Sequence, residues 1–157
     1  MAAIDRLNLP AVVRLRALFV TTREWAGRLP LSVIQLAMRV AIGSMFFKSG
    51  LLKLNSFEFA VKLFEDEYKL PLLDPTWAAR LAAFTEITFP LFLFAGLATR
   101  LATLPLLFMT LVIQVFVYPD AWVENLMWAS ILVFLLTRGP GVLSADHLVE
   151  RWLAKRD

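Results

Sequence analysis

The sequence predicts an all-α integral membrane protein, a four-helix bundle with short interfacial helices. Two observations carry this. Hydrophobic residues form 59% of the 157 positions and the mean hydropathy is +0.68, too apolar for a soluble chain with room for one domain. The apolar residues also fall into four runs, each close to the roughly 20 residues that cross a hydrocarbon core. A third observation concerns the inside of the bundle. The first run carries Arg39, Lys48 and Lys53, and a charge at bilayer depth costs about 2.5 to 3.5 kcal/mol on insertion scales. The other spans are therefore expected to wrap around it.

Residues 1–30 read as a basic, amphipathic, cytoplasmic segment. Arg6, Arg14, Arg16, Arg23 and Arg28 are interleaved with Ile4, Leu7, Val12, Leu15, Leu18 and Phe19, a pattern suited to an anionic membrane face. No long apolar run precedes a small-residue cleavage site, so a cleaved signal peptide is not expected. The four-span domain is expected over 31–138, beginning with a span over 31–54. At about 100° per residue, Arg39, Gly43, Phe46, Gly50 and Lys53 form one stripe of this helix, with Lys48 on the far side. The glycines permit close approach of a neighbouring helix, which makes the stripe an inner wall.

An interfacial helix is expected over 56–69, where Phe57, Ala60, Val61, Phe64 and Tyr68 keep helical spacing and acids occupy other faces. An ordinary solvated loop is the alternative there. The second span, 77–97, holds Glu86 near its middle, with Pro90 one turn beyond to kink it. The third, 101–118, is apolar apart from threonines and Gln114, and the fourth, 121–137, opens with Trp122, Glu124 and Asn125. The tail, 139–157, reads as an amphipathic cytoplasmic anchor. Ser144 is its expected helix cap, and Leu148, Val149, Trp152 and Leu153 share its membrane-facing side. Basic residues in the N-terminal segment, in the turn at Arg100 and in the tail then lie on one side. Both termini are expected in the cytoplasm, with the chain in a bacterial-type inner membrane.

Several classes of function are excluded. Without cysteine there are no disulfides, thiolate metal sites or iron–sulfur clusters, and the single histidine, His147, leaves no axial pair for a haem. No covalently bound cofactor is expected, and no metal site. Met38, Met45, Met109 and Met127 read as packing rather than a thioether site. The net charge of +3 comes from basic residues at segment ends, where topology accounts for it, so nucleic acid is not an expected partner. The tryptophans fall mostly at the expected interfaces.

The polar residues within the spans are the candidate ligand-binding set: Arg39, Lys53, Glu86, Gln114, Glu124 and Asn125. Depth counted inward at about 1.5 Å per residue brings Arg39 and Glu86 to within one turn of each other, and Lys53 and Glu124 both near the outer surface. Arg39 with Glu86 reads either as a structural ion pair that fixes helix register or as a site for an oxygen-bearing ligand such as a quinone carbonyl, with Glu86 exchanging protons. Lys48, and Lys53 with it, also read as snorkelling side chains. Glu124 and Asn125 read as helix-start capping or as ligand contacts.

An ordered set of motifs resembles the DoxX-like family of small membrane proteins. It comprises Arg39 with Gly43, Gly50-Leu51-Leu52-Lys53, Glu86, Gly96-Leu97-Ala98-Thr99-Arg100, and Gly139-Pro140-Gly141 followed by Ser144-Ala145-Asp146, across about 31–147. Ser49 stands where relatives often carry histidine, which removes one proton carrier. Phe89-Pro90 stands where paired small residues often follow the glutamate. The resemblance implies a four-helix membrane bundle. Some relatives are linked to quinone-coupled oxidation of sulfur compounds, others to membrane complexes with redox or detoxifying enzymes. The expected role is therefore an accessory subunit of a membrane redox assembly, with quinone as candidate ligand and catalysis resting with a partner protein. A non-catalytic anchor for a partner is the alternative, followed by a small transport or metal-handling accessory. A homo-oligomer remains open.

Overall fold

The computed structural model describes residues 13–21, 30–71 and 73–155. The chain divides into two units, residues 1–31 and 32–157. In the first, residues 13–21 form helix α1 with Val13, Leu15, Leu18 and Phe19 at its surface. The remainder of the expected N-terminal segment, with Arg6, Arg23, Trp25 and Arg28, lies outside the described residues.

Among the described residues the secondary structure is helical throughout. After Pro30 comes α2, Leu31–Asn55, followed by α3, Phe57–Leu63, which runs on into a π-helical turn, Phe64–Tyr68. Next are α4, Pro75–Ala95, and α5, Thr99–Val112, which also ends in a π-helical turn, Ile113–Val117. The chain closes with α6, Trp122–Arg138, and α7, Ala145–Leu153. The spans ending in Asn55, Ala95 and Val117 are long and apolar enough to cross a membrane, and α6 has 17 residues.

Local chemistry explains the helix boundaries. Asp74 accepts hydrogen bonds from the Thr76 and Trp77 amides at 3.0 and 3.2 Å, with Pro75 in the first turn where no amide is needed. At the other end of α4, Gly96 takes φ +64°, and the Leu97 and Gly96 amides bond back to the Phe92 and Leu93 carbonyls. A Cβ on Gly96 would also strike Arg39 and Ser144. Ser144 caps α7 by accepting from the His147 amide at 3.2 Å. The start of α5 is capped from far away in sequence, since Asp146 accepts from the Ala98 and Thr99 amides at 2.6 and 3.1 Å.

Two apolar clusters build the interior. Ile42, Phe46, Leu93, Ala102, Leu106, Leu132 and Leu135 pack α2, α4, α5 and α6 together. Ala60 and Phe64 pack onto the alanine face of α4 formed by Ala78, Ala79 and Ala82, which ties α3 to the bundle instead of leaving it on the membrane surface alone. The methionines Met38, Met45 and Met109 fill gaps around these clusters.

Candidate ligand-binding site

The stripe on α2 is the inner wall. Arg39, Gly43, Phe46 and Gly50 are buried, and Lys48 on the far side is exposed. Gly50 lets α2 lie against α4: an added Cβ would come within 2.9 Å of Glu86 Cβ and 3.0 Å of its main-chain carbon. One turn toward the end of α2, Lys53 then reaches Glu86. Its ammonium lies 2.9 and 2.8 Å from the two carboxylate oxygens and 2.9 Å from Ser49 Oγ, so its three N–H groups meet three acceptors. The pair is well enclosed, with side-chain exposures of 16% for Lys53 and 5% for Glu86. Ser49 thus orients the lysine from the preceding turn.

Glu86 therefore pairs with Lys53 and not with Arg39. Depth counted from helix ends failed because the ends are not level. Gly50 faces Glu86 and Gly43 faces Phe94, so α2 starts about three turns beyond the end of α4. That stagger brings Arg39 to the α4 terminus. Its guanidinium is fully buried, donating to the Leu93 carbonyl at 3.1 Å and to the Leu143 carbonyl, with Asp146 as the nearby opposite charge. Gln35, one turn earlier, donates to the Gly139 carbonyl at 3.0 Å. The Gly96–Arg100 and Gly139–Asp146 motifs thus form one polar knot with Arg39, at what we term the basic end of the bundle.

At the opposite, acidic end, the Lys53–Glu86 pair forms part of the wall of a cavity of about 460 Å³. Most of the lining is apolar, including Phe46, Leu81, Phe108, Met109 and Trp128, and Pro105 inside α5 also faces it. Lys53 and Glu86 are its charged members, joined by Ser49, Thr85, Tyr68 and Tyr118. Both π-helical turns border the space. Tyr68, which ends the first, and Tyr118, which follows the second, meet edge to face at 6.0 Å, and the Tyr118 hydroxyl donates to Glu67 at 2.9 Å. Burial, then the hydrogen bond to Tyr118, raises the Tyr68 phenol above its ordinary range, which keeps it protonated as a donor. Trp128 is half-buried in the cavity wall, edge-on to Phe46 at 6.3 Å.

The remaining candidates are elsewhere. Asn125 is buried and donates to Gln114 Oε1 at 2.9 Å, while Gln114 donates to the Pro119 carbonyl at 2.8 Å. This locks the α5–α6 turn. Neither lines the cavity, and Glu124 is exposed in the first turn of α6. The expected capping by Glu124 or Asn125 is not seen, because Ala121 occupies the cap position. Sequence reasoning overlooked Ser49, Thr85, Tyr118 and Trp128 as site residues. Ser49 alone carried a signal, lying four residues before Lys53 on the same face.

These features define a small helical membrane protein with a charged pair set in the wall of an apolar cavity. The chain belongs to the DoxX family: the model of that family, described as DoxX, matches residues 34–119, more than half of the chain. That range contains Lys53, Glu86 and both π-helical turns and ends before α6 and α7. No curated protein and no solved structure matches the chain.

Proposed function

We propose that this DoxX-family protein is an accessory subunit of a membrane redox assembly and binds a quinone or similar lipid-soluble acceptor in the cavity at its acidic end. One observation carries the reading: an apolar cavity of about 460 Å³ presents the Lys53–Glu86 pair as its charged feature. That volume falls within the roughly 300 to 1,000 Å³ of small-molecule sites, which are commonly apolar with a few fixed polar groups. The ring and tail of a quinone match the apolar wall. Its carbonyl oxygens match the hydroxyl donors Ser49 and Tyr68, beside the positive charge of Lys53. Reduction of such an oxygen consumes a proton, which the Lys53–Glu86 pair is placed to hold, and the electrons come from a partner protein. In this reading the basic end faces the cytoplasm, with the chain in an inner membrane.

A second reading, a non-catalytic anchor, is favoured by the completeness of the ion pair, whose ammonium already has three acceptors. One experiment separates the two. In a variant that keeps Trp128 as its single tryptophan, a short-chain benzoquinone should quench the fluorescence on binding. The double substitution Lys53→Met with Glu86→Gln removes both charges together, and should weaken binding at least about tenfold while the protein stays folded, since replacing a buried pair with uncharged groups is often neutral for stability. Absence of binding in the parent, or equal binding in the double variant, would favour the anchor.

A further inference from the structure

A second cavity, of about 610 Å³, opens at the basic end between the start of α5, the end of α6 and the first turns of α7. Arg100 and Arg138 form its cationic wall. The Arg100 guanidinium lies across Gly139, where an added Cβ would sit 3.5 Å from Nε and 3.6 Å from Nη2, so it stands beside the chain that carries Arg138. Both arginines are exposed, and among the described residues neither guanidinium has an ion pair or hydrogen bond.

Two carboxylates share this lining and differ in what they have left to offer. Asp146 accepts from the Ala98 amide through one oxygen and from the Thr99 amide through the other. Glu150, one turn further along α7, is exposed and its carboxylate is engaged by nothing among the described residues. Among the described residues the uncommitted charges of this lining are therefore two guanidiniums and one carboxylate, with His147 on the same wall. The cavity also has an apolar border. Leu101 and Val142 line it at 68% and 57% exposure, and from Leu101 an exposed stripe at helical spacing climbs α5 through Leu104, Phe108 and Leu111 to Val115 in the π-helical turn.

We propose that this cavity binds the headgroup of a phospholipid that carries a primary ammonium, namely phosphatidylethanolamine. The phosphate sits between Arg100 and Arg138, the ammonium meets Glu150, and an acyl chain follows the Leu101–Val115 stripe. Guanidinium pairs suit phosphate oxygens, and a free carboxylate opposes a headgroup bearing only negative charge. The apolar stripe selects a lipid over free phosphoethanolamine, which shares the headgroup chemistry.

The test is native mass spectrometry of the full-length protein released from nanodiscs with equal phosphatidylethanolamine, phosphatidylcholine and phosphatidylglycerol. Retained lipid should be enriched in phosphatidylethanolamine by about fivefold or more over either competitor. The substitution Glu150→Gln should remove the preference over phosphatidylglycerol, and Arg100→Gln with Arg138→Gln should remove selectivity altogether, each with an unchanged helical circular dichroism spectrum. If the double variant misfolds, the selectivity of Glu150→Gln decides. Equal retention of the three lipids would mean annular lipid only, and enrichment of phosphatidylglycerol in the parent would overturn the ammonium contact. Displacement of the lipid by millimolar phosphoethanolamine would make the soluble compound the ligand and overturn the lipid assignment.

Discussion

At the scale of single residues, two cations on the inner face of one helix do different work. Arg39 donates to the Leu93 and Leu143 carbonyls from a position with no exposure, so Arg39→Leu would strand both acceptors and leave Asp146 without its opposite charge. Breaking a buried charged contact from one side costs about 3 to 5 kcal/mol. Denaturant titration in mild detergent should show a loss of that order, and a loss below about 1 kcal/mol would remove the structural role. Lys53 behaves differently under paired substitution. Lys53→Met alone leaves the Glu86 carboxylate buried and unpaired and should destabilise the fold, whereas adding Glu86→Gln should recover most of that loss. If the double variant is no more stable than Lys53→Met, the pair is not the unit that the geometry indicates. The α2 stripe was legible because helical period and residue type suffice to place Arg39, Gly43, Phe46, Gly50 and Lys53 on one face. The partner of Glu86 was not legible, since it depends on how far two helices slide past each other.

At the scale of elements, helix ends divide into those fixed locally and those fixed from a distance. Asp74 and Ser144 cap the helices they precede, which the residue types announce. The cap on α5 comes from Asp146, more than forty residues away, and the α5 sequence bears no mark of it. Asp146→Ala should therefore cost α5 a cap worth about 1 kcal/mol or more, and hydrogen exchange should quicken at the α5 start as well as in α7. Exchange changes confined to α7 would contradict that cap. The π-helical turns were equally illegible, because a shift in backbone hydrogen bonding has no fixed residue signature. Tyr68, at the end of the first of them, offers a measurable handle. The folded protein keeps this phenol protonated above its ordinary value of about 10, so the unfolded chain loses the proton first as pH rises. The contribution is fully present below that value and declines above it. Tyr68→Phe should flatten the alkaline fall in stability measured between pH 9 and 11, and an unchanged fall would assign it to other groups.

At the scale of the whole molecule, the path of the chain decides how many times it crosses the bilayer. Among the described residues three helices meet the length and hydropathy requirement, and α6, at 17 residues, stands at the short end of the spanning range of about 17 to 25. The contacts at its ends show where α6 runs relative to its neighbours. The Asp146 amide donates to the Gly96 carbonyl, and Arg39 and Gln35 hold the 139–143 loop, so the chain after α6 returns to the end where α4 stops and α5 starts. Since α5 and its π-helical turn lead away from that end over 19 residues, α6 must cover the same distance back. A compositional threshold alone passes over this, because the length of α6 gains meaning only from where its neighbours end. The chain has no cysteine, so single-cysteine variants report without background. Asp120→Cys and Val142→Cys should react with a membrane-impermeant maleimide from opposite sides of the membrane, with Leu97→Cys matching Val142→Cys. Labelling of positions 120 and 142 from the same side would mean that α6 does not cross, and would break the link between the knot at the basic end and the membrane position of the acidic-end cavity.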